Sequence, residues 1–397
     1  MRGKGACHGM ANYKEGYLDF EAYERAKEPH TRQKASAWRT AIGLQDVDGL
    51  KVSDYLRETA AKHIEGDITI DEARDMIRDY YVSKTAHDQQ DEDTEEADKV
   101  SANITKLLNE QSFSFTAGEF LNIHRHIFDG VFKHAGEIRP YDISKKEWVL
   151  WGDSILYGRA EDIRMALEYD IDQERQFIYK GLSTDDMIEH ICHFVSLLWQ
   201  NHPFREGNTR TTAVFVIKYL RSCGFHVDND LFAENSWYFR NALVRANYRN
   251  MAKGIDPDTS FLNKFFRNLL LGEHNELKNR YMLINPPEEW KRENNKVESS
   301  DRPSTDQVPT KLTDHVSESE RTLINAIGMN LLSIKEMMGK IGLKQRRNFM
   351  VNYIEPSIKD GLVTLLYPES PRHPRQKYKL TVKGLAVLNE IKYGNNR

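Results

Sequence analysis

Apolar residues recur every three or four positions along most of the chain, the spacing of helices that bury one face. The clearest run, Ile188, Ile191, Val195 and Leu198, is followed after a short break by Ala213, Val214, Val216, Ile217 and Leu220, closing at Gly224. Upstream, Ser53 is placed to cap a helix carrying Tyr55, Leu56, Ala60 and Ile64 and stopped by Gly66. A second helix from near Thr69 carries Ala73, Ile77 and Tyr80. The helical spacing breaks between Arg139 and Gly158, where Trp148 to Trp151 and Ile155–Leu156 flank a Gly152–Asp153 turn, the pattern of a β-hairpin. The pattern predicts a mainly α protein with one small hairpin in its centre.

Polar stretches divide the chain. Residues 1–50 read as a helical, partly disordered lead-in, and 51–83 as a two-helix unit. Residues 84–99 concentrate Asp88, Asp91, Glu92, Asp93, Glu95, Glu96 and Asp98, a solvated charge run taken as an acidic linker. Residues 100–285 form the main helical domain. From Pro286 to 310 the chain is rich in Glu, Asn, Ser and Asp, a second linker. Residues 311–397 predict helices near 322–327 and 334–341 and from Gln345, then short strands at 362–366 and 378–381, the order of a winged helix domain.

At 397 residues and 39% hydrophobic content, the chain can build more than one core. The net charge of -4 excludes a globally basic nucleic-acid binder, but the charge is uneven. From Lys335 onward there are thirteen Lys and Arg against five Asp and Glu. Lys344, Arg346 and Arg347 open the third helix of that segment, and Arg372 and Arg375 fall on its wing, where a DNA partner is read. A protein-protein adaptor is the competing reading, since winged helices serve both uses. Three dispersed cysteines argue against a disulfide framework and suit a reducing cytoplasm. No apolar run reaches the roughly 18 residues of a membrane span, so a soluble cytoplasmic protein with no membrane partner is expected.

The break between the two clearest helices holds His202, Pro203, Phe204, Arg205, Glu206, Gly207, Asn208, Thr209 and Arg210. This is a tight loop ending at a helix N-terminus, a ready-made anion site. His202, with a reference pKa of about 6.5, can take a proton near neutrality. Glu206 offers one hard carboxylate suited to Mg²⁺ that is shared with phosphate oxygens. Gly207 lets backbone approach a phosphate, Asn208 adds amide donors, and Arg210 brings a forked cation. Taken singly, each has a plainer reading, as a core histidine or a solvated side chain.

Together the nine residues resemble the Fic family signature, His-Pro-Phe-x-Asp/Glu-Gly-Asn-Gly/Lys-Arg, departing from it only at Thr209. The resemblance implies transfer of AMP from ATP, with Mg²⁺, to a protein hydroxyl. His202 would be the general base, Glu206 the metal ligand, and Gly207, Asn208, Thr209 and Arg210 nucleotide contacts. It implies that the hairpin, with Lys146, Trp148 and Leu150, is a flap that clamps the target segment, and that Tyr238 and Asn241 line the base pocket. Lys62 to Gly66 resemble the end of the family's antitoxin-like inhibitory helix, with Ala61 at its first position. Glu65, followed by Gly66, is thereby expected to engage Arg210 or to compete as a negative charge.

Two departures bear on competence. Thr209 puts a β-branched residue where AMP-transferring members have Gly. Ala213 stands where the family carries a second arginine for the terminal phosphate. The leading expectation is an autoinhibited protein adenylyltransferase acting on Ser, Thr or Tyr of a target protein. The alternatives are a silenced, nucleotide-responsive DNA-binding regulator, or a transferase with another nucleotide or phosphoryl donor. A homo-oligomer is compatible with all three.

Overall fold

In a computed structural model of the chain, the described residues are 28–83, 89–227, 230–284, 316–368 and 375–393, with a few isolated positions near them. Most of the proposed linker at 286–310 and Arg372 lie outside the described residues. Two short strands, β1 (Tyr13–Lys14) and β2 (Tyr17–Leu18), pair before the first long helix.

Four helices build the N-terminal part: α1 (Pro29–Gly43), α2 (Asp54–Glu65), α3 (Ile70–Ser83) and α4 (Gln89–Asn109). Pro29 starts α1 where a missing N–H costs nothing. Ser53 caps α2 by accepting the Leu56 N–H, and Gly66 ends it in the left-handed region at φ 89°. The acidic linker read at 84–99 is corrected, because from Gln89 onward the charge run is the first half of the 21-residue helix α4. Its acids are not all solvated. Asp98 is fully buried and accepts from the Ser53 N–H, the Ser53 hydroxyl and the Tyr81 hydroxyl, tying α2 and α3 to α4. Burial raises its carboxyl to about 6 against those bonds. A satellite core of Trp38, Leu56, Ala60, Ile64, Ile77 and Tyr81 fills the space between these helices.

The main core collects α5 (Ala117–Ile127), α6 (Ile163–Gln176), α7 (Thr184–Asn201), α8 (Asn208–Ser222), the short α9 (Asp230–Glu234), α10 (Ser236–Asn247) and α11 (Ser260–Leu271). A Ser183–Asp186 capping box starts α7, and every residue of α8 from Asn208 to Leu220 is buried. The predicted hairpin is present but shorter. Strands β3 (Ser144–Lys146) and β4 (Ser154–Leu156) pair antiparallel with Lys145 opposite Ile155, while Trp148–Leu150 is a 3₁₀ turn. Trp148 and Leu150 are therefore not strand positions, because the chain coils there to bury Val149 and Leu150.

The C-terminal segment has α12 (Glu318–Ile327), α13 (Ile334–Ile341), α14 (Arg346–Phe349) running into a π turn, α15 (Glu355–Lys359), strands β5 (Val363–Leu365) and β6 (Tyr378–Leu380), and α16 (Val382–Tyr393). The π turn at Met350–Ile354 precedes Pro356, whose ring cannot follow a regular α turn. Leu332 makes an isolated antiparallel bridge to Tyr378 beside this two-stranded sheet. This segment shares the main core, and Gly224 at the end of α8 meets Gly361 so closely that a Cβ on either would lie about 2 Å from the other's carbonyl oxygen.

Candidate active site

Helix α7 ends on His202, which takes the left-handed conformation at φ 46°, one of only two non-glycine residues to do so among the described residues. Arg139 secures the strained turn from below. Its Nε donates to the His202 carbonyl at 2.8 Å, its Nη groups donate to the Tyr141 and Gly158 carbonyls, and its N–H donates to the Pro203 carbonyl at 2.8 Å. The imidazole is buried, stacked on Tyr157 at 3.8 Å and edge-on to Trp199 at 5.3 Å. Burial holds its pKa well below the usual histidine value, helped by the charges of Lys145, Arg240 and Arg139. His202 is thus neutral at physiological pH, and its Nδ1 has no partner among the described residues.

The loop after it is closed by its own side chains. Asn208 accepts the Phe204 N–H at 2.9 Å and donates to the Phe204 carbonyl at 2.8 Å. The amide oxygen and one of its two N–H groups are thus engaged within the loop. Phe204 stacks at 3.6 Å on His124, a buried histidine absent from the sequence reading. The Gly136 N–H donates to His124 Nδ1, which leaves the proton on Nε2 to donate to the Glu206 carbonyl at 3.1 Å. Burial lowers His124 to about 3, so this neutral tautomer persists. Gly207 has φ 72°, and a Cβ there would sit 2.1 Å from the Phe128 ring. The first turn of α8 leaves backbone N–H groups without helical acceptors, the anion-binding end of the helix.

Thr209 is buried, and its hydroxyl accepts the Trp199 indole N–H at 3.0 Å, tying α8 to α7. Its β-branched side chain therefore has a packing role that glycine would not fill. Ala213, one turn on, is fully buried.

Arg210 departs furthest from expectation. It is 2% exposed and held by Gln45 at 2.9 Å, Asp48 at 2.9 Å and Glu96 at 2.7 Å, above the Phe128 ring. Glu65 does not reach it; exposed at the end of α2, it accepts from the Tyr23 hydroxyl at 2.6 Å. The expected Glu65–Arg210 pairing is corrected, because α2 packs in the satellite core, while the 3₁₀ turn Leu44–Asp48 and α4 cover α8. Asp48 also approaches Arg240 at 3.6 Å, and Arg240 pairs with Glu147 of the hairpin at 3.0 Å. Glu147 in turn accepts from the hydroxyl of Tyr157, the residue stacked on His202. Gln45, Asp48, Glu96, Arg139, Glu147 and Arg240 escaped the sequence reading because none stands in a short-range pattern; the acid run contained Glu96 without distinguishing it.

Glu206 is an exposed carboxylate 3.4 Å from Lys145 of the hairpin. No three His, Cys, Asp or Glu converge to hold a metal ion among the described residues. A single carboxylate fits Mg²⁺, which completes its shell with water and phosphate oxygens. Tyr238 and Asn241 are buried in helix packing, bonded to the Phe261 carbonyl and to Asn279 respectively, with Asn241 Oδ1 unpartnered among the described residues. Lys146 is exposed on β3, and Trp148 faces Trp237 at 6.5 Å. Lys344, Arg346, Arg347 and Arg375 are exposed in the C-terminal segment, remote in sequence from the loop. No helix among the described residues is long and apolar enough to cross a membrane.

Residues 114–220 match the Fic/DOC family, and residues 318–381 match the C-terminal domain of the Fic-like "filamentation induced by cAMP" proteins. The chain is 28% identical over 119 residues to the protein adenylyltransferase VbhT of Bartonella schoenbuchensis, which is 30% of this chain and 24% of that protein. It is 28% identical over 125 residues to the probable protein adenylyltransferase y4lH of Sinorhizobium fredii, 31% of this chain and 61% of that protein. The chain thus spans less than two thirds of these relatives. A solved Fic family protein from Desulfovibrio desulfuricans superposes with a TM-score of 0.39 at 16% identity, covering 93% of this chain and 98% of that one. The helices that carry His202 to Arg210 thus lie in the segment that matches the Fic/DOC family, and the C-terminal segment matches the C-terminal domain of Fic-like proteins.

Proposed function

We propose that the chain is a protein adenylyltransferase that moves AMP from ATP to a Ser, Thr or Tyr hydroxyl of a target protein. The observation that carries this reading is a buried His202 with an unpartnered Nδ1 among the described residues, at the start of the tight loop that leads into the N-terminus of the helix carrying Arg210. His202 takes the proton of the attacking hydroxyl as its oxygen bonds to the α-phosphorus. The bond from that phosphorus to the bridging oxygen breaks, and pyrophosphate leaves with the electron pair. The open N–H groups of α8 and the guanidinium of Arg210 stabilise the charge on the phosphates. Glu206 would hold Mg²⁺, which supplies further neutralisation of phosphate charge when bound. The two-stranded hairpin has free outer edges for a target segment added as a strand, an interaction that uses main-chain hydrogen bonds.

Asp48 and Glu96 restrain the site by holding Arg210, the role expected of Glu65. Intact mass after incubation with Mg²⁺ and each of ATP, GTP, UTP and CTP tests the reading. An adduct of AMP mass on the chain or a candidate target, lost in His202→Ala by about 10²- to 10⁴-fold in rate, supports it. Absence of any adduct from wild type and from Asp48→Asn/Glu96→Gln sinks it.

A second reading rests on the exposed row Lys344, Arg346 and Arg347 leading into α14, which suits duplex DNA. Binding of a labelled duplex by the full chain, weakened steeply by salt and by Lys344→Gln/Arg346→Gln, supports a DNA-responsive regulator.

A further inference from the structure

Resting on the reading of a nucleotide site at His202, we propose that Arg240 is the second phosphate-binding arginine, supplied from α10 in place of the side chain absent at Ala213, and that it grips the terminal phosphate of a nucleoside triphosphate together with Arg210.

The first support is an anion already seated between the two forks. Asp48 places Oδ2 2.9 Å from Arg210 Nη2 and Oδ1 3.6 Å from Arg240 Nη1. A carboxylate that bridges two guanidinium groups marks a spacing that phosphate oxygens also span. The second support is unspent donor capacity. Both Arg210 Nε and Arg240 Nε are buried without a hydrogen-bond partner among the described residues, although Arg210 bonds Gln45 and Glu96 and Arg240 bonds Glu147 through their Nη groups. Buried N–H donors left open are rare and costly unless something fills them.

The third support is position. Arg240 bonds Glu147, which also takes the hydroxyl of the Tyr157 stacked on His202, so its guanidinium lies one side chain from the ring packed on the imidazole that handles the proton. It is also fixed in charge and place. Burial weighs against its cation, but Glu147 and Asp48 outweigh that burial and raise its pKa. Ala213 explains why the cation comes from another helix. The position is fully buried in a helix with no exposed face up to Leu220, so an arginine there would bury an uncompensated charge.

The contact also links the nucleotide to the hairpin. Glu147 holds Arg240 through both carboxylate oxygens and takes the Tyr157 hydroxyl, and Tyr157 is stacked on His202. A terminal phosphate that replaces Asp48 leaves Glu147 in place. The chain would then distinguish a triphosphate from a diphosphate by whether both forks are occupied.

Calorimetric titration of the full chain with ATP, ADP and AMP in the presence of Mg²⁺ tests the assignment. The wild type should bind ATP more tightly than ADP, and Asp48→Asn should widen the gap. Arg240→Gln should weaken ATP by about 10- to 100-fold, to the level of ADP, while AMP affinity changes by less than about twofold. Arg240→Lys, a point charge without a fork, should fall between. AMP affinity serves as the folding control. Equal loss of ATP and AMP in Arg240→Gln, or no loss of ATP, overturns the role of Arg240 while leaving the nucleotide site standing. If neither wild type nor Asp48→Asn binds any of the three nucleotides, the site itself and Arg240's part in it are both rejected.

Discussion

Helices α2 and α4 both offer acidic side chains near the active domain, and their fates differ. Glu65 on α2 has the motif context, at the end of a capped helix with a glycine stop, yet it faces Tyr23 at the surface. Glu96 on α4 sits unremarked in a run of acids, yet it holds Arg210, and its neighbour Asp98 is buried among Ser53 and Tyr81. The difference lies in what each helix packs against. Helix α2 completes the satellite core with α1 and α3, while α4 bridges that core to α8. A carboxylate acquires a role from the helix face it occupies, and local motif alone does not fix that face.

The largest effect that would break this contrast lies in Asp98. Truncation by Asp98→Ala strands the Ser53 and Tyr81 donors and should cost about 3 kcal/mol in urea denaturation. The α2 counterpart Glu65→Ala should stay within about 0.5 kcal/mol, and a comparable loss there would erase the distinction. Next in size is nucleotide affinity. Glu96→Gln frees one side of Arg210 and should tighten ATP by about 5- to 10-fold, following the roughly 1 kcal/mol of a charged hydrogen bond, whereas Glu65→Gln should leave the titration unmoved.

A pH series sharpens the comparison further, because the two helices carry groups shifted in opposite directions. Burial lowers His63 on α2 to about 4, so its contribution is present above about 6.5 and is lost as pH falls toward 4. Burial raises Asp98 on α4 to about 6, so its contribution is present below about 4 and is lost as pH rises through 6. Between pH 6.5 and 4 the two oppose each other. Asp98→Asn removes the compensating arm, and its urea midpoint should fall more steeply with acid than that of the wild type. A parallel slope in both proteins would contradict the assignment.

A separate contrast is between two glycines that share positive φ. Gly66→Ala meets open space and should cost about 1 kcal/mol for its backbone alone, whereas Gly207→Ala also drives a methyl into Phe128 and should cost about 3 kcal/mol. Thermal midpoints of the two variants measure the difference.

Most helices were legible because apolar spacing and caps are local signals. Ser53 with Gly66, and the run from Ile188 to Leu198, gave element type and near-correct bounds. The acidic stretch misled because solvated linkers and helices with one buried edge share a composition, and only the partner surface separates them. The hairpin's tryptophans looked like strand residues because a run of four apolar residues does not distinguish a strand from a 3₁₀ turn. Within the loop, the types of His202, Glu206, Gly207 and Arg210 pointed to phosphate chemistry, but the duties of Asn208 and Thr209 depended on Phe204 and Trp199 being within bonding distance.

The sequence by itself determined the helical framework, the resemblance of residues 202–210 to the Fic signature and their chemical inventory, because each is written in residues within a few positions of one another. Only the tertiary structure decided which carboxylates meet Arg210, that Arg240 stands beside it, and that His202 is neutral. Those properties arise from contacts 114 and 165 residues apart in the chain and from burial, and neither distance nor dielectric is encoded in any short stretch.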